Sequence, residues 1–337
     1  MVSSLLVISG LILLVNDHQK SVRVERHLNL MGTTLMISVE AGDRTTALSA
    51  SEKALNALQK AEKRLSTWTK DSELARLNNA AVGQPMDISL ELAGELVRAR
   101  HWWEETGGAF DPAIGALSAI WGLRDGGYKP SRETILQAVS LPGFEALHIK
   151  GQVATRLHPF INIDEGGFGK GAGLDEAIRI LSGTGAIGAV INLGGQVAVF
   201  GAGEPYRFEL AHPSDRRHPP VLGLTIDRGA LATTGNSERS MQIEGTRYGH
   251  ILDPRSGMLV PDFGSLTVWA KDALTADCLS TGLYVLGPDM ALDWATRQSD
   301  IEILVLETTE KGLKARATQG FKNYIDTGES GIALLFQ

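Results

Sequence analysis

The sequence contains very little cysteine. Cys278 is the single cysteine among 337 residues, so an internal disulfide is excluded. A pair of cysteines and the cysteine–histidine spacing typical of a zinc site are both missing from the sequence. Such low cysteine usage suits either a reducing compartment or an envelope protein that folds without disulfides.

The chain also lacks a long basic run. It carries 32 Lys and Arg against 39 Asp and Glu, a formal net charge of -7. General nucleic-acid binding therefore has no electrostatic basis, and we expect no nucleic-acid partner. With 43% hydrophobic and 21% charged residues, the composition is that of a globular protein rather than a disordered one. The length allows one large domain or two lobes.

The longest apolar run, residues 2–15, is shorter than the roughly 20 residues that a membrane-spanning helix needs. It has the length of a signal-peptide core, and residues 16–20 turn abruptly polar after it. A basic segment before the run, an A-x-A-like cleavage site after it and a cysteine that could accept a lipid are all missing. A buried strand and a wrongly assigned start codon are alternatives. We expect residues 1–20 to be an export signal or an uncleaved membrane anchor, and residues 21–337 to form the working domain.

Hydrophobic periodicity indicates both helices and strands. Ala54, Leu58, Ala61 and Leu65 recur at helical spacing, and a second helix follows a predicted cap at Ser89. These and further patterns predict helices at 45–65, after 89 and at 273–286, and strands at 28–40, 188–200, 265–270 and 301–306. Strands and helices mix without regular βαβ alternation, which favours an α+β fold with mixed sheets and packed helices.

Glycine is abundant, with 38 residues, and residues 164–175 read DEGGFGKGAGLD. A phosphate-binding G-x-x-x-x-G-K-[ST] loop is excluded, because Asp164 replaces the first glycine and Gly171 follows Lys170. The dinucleotide pattern G-x-G-x-x-G also fails, since Ala172 occupies its third glycine position. Two interpretations remain: a plain turn, or a loop that opens a helix whose N-terminus binds an anion.

Two further segments contain groups suited to chemistry. If residues 276–281, ADCLST, are helical, Asp277 and Thr281 lie on one face, and their oxygens suit Mg²⁺. A capped or solvated helix face is the alternative. In residues 248–257, YGHILDPRSG, His250 is a candidate general base or a structural histidine. Residues 107–122, GGAFDPAIGALSAIWG, predict a sharp turn followed by core residues.

Taken together and in this order, these segments resemble the FAD:protein FMN transferase family, also called ApbE. The matching blocks are MGTT (31–34), LSTW-x-x-DSELARLN (65–78), residues 107–122, ID-x-GGFGKG-x-x-LD (163–175), INLGGQVAVFG (191–201), ATTGN (232–236), HILDPRSG (250–257) and LTVWAKDALTADCLST (266–281). Eight ordered blocks between Met31 and about Gly287 form a specific match that covers most of the chain.

The resemblance implies a role for each matching residue. It assigns FAD binding to Met31, Trp68, Ala109, Phe110, Asp111, Asp164, Lys170, Thr234, His250 and Ile251. It assigns metal binding to the carbonyl of Gly167 and the side chains of Asp277 and Thr281, and it makes His250 the catalytic base. The chain departs from the family pattern at Trp68, where tyrosine is usual, at Thr234, where serine is more frequent, and at Glu165 and Phe168, which replace apolar residues.

The resemblance further implies an α+β, T-fold-like architecture with the FAD site in a cleft between lobes. The implied reaction is Mg²⁺-dependent transfer of the FMN moiety of FAD to a Thr or Ser hydroxyl of an acceptor protein, with release of AMP. The acceptor would be a protein such as a membrane redox-complex subunit, and the enzyme would associate with the inner membrane of a bacterial envelope, facing the periplasm. An FAD pyrophosphatase that yields FMN and AMP, and a non-catalytic flavin-binding maturation protein, are the alternatives.

Overall fold

The structure is a computed structural model that describes residues 21–201, 205–214, 217–236, 240–243, 245–326 and 332–337. The export signal or anchor predicted for residues 1–20 lies outside the described residues. In the part of the chain that the structure describes, no helix is long and apolar enough to span a membrane.

Helices and strands are interspersed along the chain. The helices are α1 (Arg44–Leu65), α2 (Glu73–Asn79), α3 (Leu90–Glu105), α4 (Gly115–Ile120), α5 (Arg132–Val139), α6 (Gly169–Leu181), α7 (Ala273–Leu286) and α8 (Pro288–Ala295). The strands are β1 (Val22–Leu30), β2 (Thr33–Ala41), β3 (Pro85–Asp87), β4 (Leu147–Lys150), β5 (Val153–Arg156), β6 (Ala186–Leu193), β7 (Gln196–Gly201), β8 (Tyr206–Leu210), β9 (Leu222–Ile226), β10 (Gly229–Gly235), β11 (Ser240–Ile243), β12 (Thr246–Gly249), β13 (Leu252–Asp253), β14 (Met258–Leu259), β15 (Gly264–Ala270), β16 (Ile301–Thr309), β17 (Gly312–Ala317) and β18 (Leu334–Phe336). Short 3-10 helices cover Phe144–Ala146, Glu165–Gly167 and Gln319–Tyr324.

A nine-stranded sheet runs through the molecule in the order β1-β2-β6-β7-β10-β15-β16-β17-β18. Neighbouring strands pair antiparallel, except β17 and β18, which are parallel. Alternate residues of a strand point to opposite faces, so each face of the sheet has its own core. In β6, Ile191 belongs to the core under α1, α6 and α7, whereas Val190 faces the core beneath the β8–β9 hairpin.

A second lobe packs beside the helical face of the sheet. It contains α2 and α3 with the three-stranded sheet β3-β5-β4, and it encloses buried Phe144 and Phe168. Two residues of α7, Leu274 and Cys278, belong to the core of this lobe, while Leu279 and Leu283 belong to the core of the large sheet. Helix α7 therefore joins the two cores, and its residues are buried on both sides.

The predicted elements agree with the structure. The 45–65 pattern corresponds to α1 with Ala54, Leu58, Ala61 and Leu65 buried, and Ser89 caps α3 by accepting a hydrogen bond from the N–H of Leu92. Residues 188–200 form the hairpin β6–β7 about Gly194 and Gly195, as predicted. The mixture of several sheets with packed helices confirms the predicted α+β class.

The glycine-rich segment differs from its prediction as a loop. Helix α6 already begins at Gly169, so Lys170 and the glycines after it lie on a helix rather than on a loop. These glycines are buried because they face other helices: a Cβ added to Gly171 would lie 2.7 Å from the Cα of Leu274 on α7. A Cβ added to Gly173 would lie 3.3 Å from the Cε of Met31. The glycines permit close helix packing here, a requirement that composition alone does not distinguish from a turn.

We predict that Gly171→Ala destabilises the protein by about 1–3 kcal/mol, because the added methyl group overpacks the contact between α6 and α7. Gly94→Ala is the matched control, since Gly94 is also helical but has open space where its Cβ would lie. That change should stabilise the protein by about 0.5–1 kcal/mol. Denaturant unfolding of the two variants measures the difference, and equal stabilities would contradict the proposed packing role.

Candidate active site

The candidate site is centred on the first turns of α7. Asp272 caps this helix by accepting a hydrogen bond of 2.8 Å from the N–H of Thr275. Asp175 of α6 accepts two more, 2.6 Å from the N–H of Ala273 and 3.3 Å from that of Leu274. These contacts satisfy backbone donors that a helix N-terminus leaves unpaired. They fix the start of α7, and thereby the position of Asp277 one turn further on.

Asp277 is a carboxylate buried between α6, α7 and the β6–β7 hairpin, with an exposed fraction of 2%. Its Oδ2 accepts a 2.9 Å hydrogen bond from the N–H of Gly171, and its Oδ1 accepts one from the Nε2 of Gln196. Burial raises the pKa of Asp277, while the charge of Lys170 and the two hydrogen bonds oppose that rise. Lys170, which the resemblance assigns to FAD, therefore acts electrostatically on a predicted metal ligand.

The other two predicted metal ligands lie close together. Thr281 follows Asp277 by one helical turn and is partly buried. A Cβ added to Gly167 would lie 3.4 Å from the Oγ1 of Thr281 and 3.1 Å from the Cε2 of Phe110. The 3-10 helix that carries Gly167 thus packs directly against α7, where a larger residue would be tightly packed.

These donors suit a hard divalent cation. Within the described ranges, no group of three or more His, Cys, Asp and Glu side chains could hold a metal ion. A site at Asp277 therefore depends on mixed oxygen donors: a carboxylate, a hydroxyl and a backbone carbonyl, the types that Mg²⁺ accepts. Next to Asp277, the Oε1 of Gln196 is buried and has no hydrogen-bond partner among the described residues. A buried acceptor without a partner is costly, which supports binding of a group at this position.

Trp68 lies in a separate, exposed part of the site. Its side chain has an exposed fraction of 68%, and the guanidinium of Arg124 lies 4.5 Å from the centre of its ring. Arg124 also donates 2.8 Å to Asp164, which in turn caps the 3-10 helix through the N–H of Gly166. Thr67, Arg124 and Asp164 line a cleft with Asn162 and Ser118. Arg124 therefore connects the predicted flavin-stacking ring to the segment that carries Gly167.

Of three further predicted FAD residues, Ala109 and Phe110 are buried and Met31 is half-buried. Ala109 and Phe110 have exposed fractions of 1% and 2%, so their side chains form the interior behind the site. Met31 occupies the two-residue turn between β1 and β2 with φ of 49°, a left-handed conformation that is uncommon outside glycine. Its N–H donates 2.7 Å to the Oε1 of Glu62 on α1, which holds this turn in place.

Asp111 follows Phe110 directly and is a second acid near the site whose ionisation is perturbed by burial. Burial raises its pKa to about 6, although the N–H groups of Ala113 and Phe144 donate to it at 2.7 Å and 3.4 Å. The nearby charge of Glu145 raises the pKa further. Asp111 is thus a carboxyl group whose charge changes in the mildly acidic range.

The remaining predicted residues lie around the later turns of α7. The Oγ1 of Thr234, on β10, lies 2.9 Å from the Oγ of Ser280 on α7. His250 is partly buried at the bend after β12, and Ile251, beside it, is buried. A Cβ added to the neighbouring Gly249 would collide with the side chain of Asn236, which donates 3.2 Å to the hydroxyl of Tyr284 on α7. The segment with His250 is therefore positioned against the same helix as Asp277.

Two residues at the site were missed by the sequence analysis. Gln196 follows the Gly194–Gly195 turn, and a polar residue that begins a buried strand is a signal that could have identified it. Arg124 lies in a turn segment with no periodic pattern, and nothing in the sequence indicates that it reaches Trp68 and Asp164.

Comparison with known proteins identifies the family. A sequence profile of the ApbE family matches residues 31–305. The chain belongs to the ApbE family. This confirms the resemblance inferred from the eight blocks.

Relatives in this family cover nearly the whole chain. A Vibrio cholerae protein named FAD:protein FMN transferase is 28% identical over 332 residues, 95% of this chain and 98% of that relative. A Haemophilus influenzae protein of the same name is 27% identical over 316 residues, 89% of this chain and 90% of that relative.

Solved structures show the same fold. The flavin transferase ApbE of Vibrio cholerae superposes with a TM-score of 0.79 at 28% identity, covering 90% of this chain and 99% of that one. The apo form of the Pseudomonas stutzeri flavinyl transferase ApbE gives a TM-score of 0.81 at 25% identity, covering 92% and 98%.

We predict that Asp111→Asn gains stability relative to the wild type as pH rises from 4 to 7. The pKa of Asp111 is raised in the folded state, so its stabilising contribution is complete below its unfolded value of 3.8 and is lost as pH passes about 6. The difference in unfolding free energy between variant and wild type should therefore rise by up to about 3 kcal/mol across this range. Urea unfolding at each pH measures it. Asp125→Asn, which removes an exposed carboxylate, controls for net charge, and a pH-independent difference for Asp111→Asn would contradict the prediction.

Proposed function

We propose that this protein transfers the FMN moiety of FAD to a Thr or Ser hydroxyl of an acceptor protein and releases AMP. The observation that carries the proposal is the convergence of Asp277, Thr281 and Gly167 beside Lys170, in a chain of the ApbE family. Relatives that match nearly the full length of the chain are named FAD:protein FMN transferase, which supports the same activity here.

The oxygen donors support a magnesium-dependent reaction. The carbonyl of Gly167 and the side chains of Asp277 and Thr281 would hold Mg²⁺. The ion's chemical contribution there would be to neutralise charge on the FAD pyrophosphate. Lys170 adds a second positive charge close to Asp277, which suits an anionic substrate.

The transfer is a displacement at phosphorus. The acceptor hydroxyl oxygen forms a bond to the phosphorus on the FMN side of the pyrophosphate, and the bond from that phosphorus to the AMP oxygen breaks. AMP leaves with that electron pair. His250 accepts the proton of the attacking hydroxyl as general base. Trp68 offers an exposed ring on which the flavin can stack.

The experiment that tests this function is an incubation of the protein with FAD, Mg²⁺ and a candidate acceptor, followed by intact mass measurement of the acceptor. A mass increase of one phosphoester-linked FMN, together with free AMP, supports transfer. Free FMN and AMP without a change in the acceptor would support a pyrophosphatase instead. Bound but intact FAD would support a non-catalytic flavin-binding protein.

We also propose that the reaction takes place at the inner membrane, on the periplasmic side of a bacterial envelope. The apolar run at residues 2–15 and the polar change after it support an export signal or anchor. Cell fractionation of the tagged full-length chain tests this proposal, and recovery of uncleaved protein wholly in the cytoplasmic fraction would defeat it.

We predict that the metal ligand and the base are separable by mutation. Asp277→Ala should weaken Mg²⁺-dependent FAD binding, because the pyrophosphate loses its counter-charge, and excess Mg²⁺ should partly restore it by mass action. His250→Ala should leave FAD binding nearly unchanged but slow transfer about 10²- to 10⁴-fold, with no rescue by Mg²⁺.

The measurement is FAD binding and transfer across a Mg²⁺ series, with melting curves to exclude unfolding. Asp300→Ala, which removes an exposed partner of Lys271, is the matched control and should alter neither property. Wild-type Mg²⁺ dependence in Asp277→Ala would remove the metal assignment.

A further inference from the structure

Gln196 is a buried amide side chain outside the predicted set of ligands. It begins β7 directly after the Gly194–Gly195 turn, and its exposed fraction is 6%. Its Nε2 donates a hydrogen bond to the Oδ1 of Asp277, while its Oε1 is buried without a hydrogen-bond partner among the described residues. The amide nitrogen of Gln196 is therefore hydrogen-bonded to the candidate ligand Asp277, while its amide oxygen has no partner among the described residues.

The orientation of this amide follows from its partner. The Oδ2 of Asp277 accepts a hydrogen bond from the N–H of Gly171. Its Oδ1 can also only accept, so it must face the amide nitrogen of Gln196 and not the amide oxygen. The unpaired amide oxygen is bonded to the same carbon as that nitrogen. The amide oxygen therefore lies next to the hydrogen bond between Gln196 and Asp277.

We propose that Gln196 is a further ligand of the cation site, with its amide oxygen coordinating the divalent ion and its amide nitrogen orienting Asp277. This inference deepens the proposed function and rests on it. Amide oxygens are hard, neutral donors, and a divalent cation such as Mg²⁺ prefers oxygen ligands. The amide oxygen of Gln196 would add a fourth protein oxygen to those of Gly167, Asp277 and Thr281, and substrate and water oxygens would supply the remaining ligands.

The hairpin turn explains how Gln196 reaches this position. Gly194 and Gly195 adopt φ of 62° and 89°, and the side chain of Asn192 accepts a hydrogen bond of 2.9 Å from the N–H of Gly195. The glycine conformations and this hydrogen bond fix the turn that places Gln196 next to α7. Asn192 therefore offers a matched control: it stabilises the same turn, but its bond is to the backbone rather than to Asp277.

The test uses Mn²⁺ as the probe, because free Mn²⁺ can be counted by its EPR signal in the presence of FAD. The full-length chain is titrated as wild type, Gln196→Leu, Gln196→Glu, Asn192→Ala and Asp277→Ala, with a melting curve for each. We expect Gln196→Leu to weaken Mn²⁺ binding about 10- to 100-fold, the usual effect of losing a group that completes or orients a metal site. Gln196→Glu keeps an oxygen for the ion but loses the amide nitrogen that faces Asp277, so it should bind Mn²⁺ more weakly than the wild type and more tightly than Gln196→Leu.

Several outcomes would overturn the proposal. Unchanged Mn²⁺ affinity in Gln196→Leu would do so. Equal losses in Gln196→Leu and Gln196→Glu would show that only the amide nitrogen matters. An equal loss in Asn192→Ala would assign the effect to the hairpin. If Gln196→Leu does not fold, the comparison of Gln196→Glu with Asp277→Ala decides, and Mn²⁺ binding as weak as that of Asp277→Ala would be contrary. If the wild type binds no Mn²⁺ and Asp277→Ala behaves identically, the proposed metal-dependent function itself has failed. A loss in Asp277→Ala without one in Gln196→Leu rejects Gln196 alone.

Discussion

The hydrogen bond from the N–H of Gly171 to the carboxylate of Asp277 is the contact on which the arrangement of the site depends. It forms because α6 and α7 approach so closely that a side chain at position 171 would collide with the backbone of α7. The same approach brings the charge of Lys170 to bear on Asp277. Close packing and electrostatics are therefore one constraint here: a wider gap between the helices would leave the Oδ2 of the buried carboxylate without its donor and would weaken its counter-charge.

Helix α7 connects this contact to both hydrophobic cores, because it has residues in each of them. Its Leu274 and Cys278 pack against the second lobe, and its Leu279 and Leu283 pack under the large sheet. The start of the helix is tied to α6 through Asp175, which also forms a 2.9 Å ion pair with Arg98 of α3. Polar residues on three helices thus meet where two hydrophobic cores join. A site at such a junction is held by elements that are rigid for reasons of packing.

The sequence was informative where a local rule determines the structure. Periodic apolar residues predicted α1, and an Asp and a hydroxyl spaced by four predicted the shared face of Asp277 and Thr281. The glycines of α6 were misjudged because the same residue type serves turns and tight helix contacts, and only the partner helix distinguishes the two. The contacts of Gln196 and Arg124 could not be predicted, because their partners are distant in sequence. Gln196 and Asp277 are 81 residues apart, and Arg124 and Asp164 are 40 residues apart. Such long-range pairings are decided by tertiary packing, on which local propensity carries no information.

Cys278 gives the protein an internal chemical reporter. Its thiol is buried in the core shared by α7 and the second lobe, and burial raises its pKa well above the ordinary range. The thiolate is the form that attacks thiol reagents, so the folded protein should resist alkylation and oxidation. Reaction then requires α7 to separate from the second lobe, and the labelling rate measures how often that opening occurs. Because the chain has one cysteine, each labelled molecule records a single event at a known position, without any engineered probe.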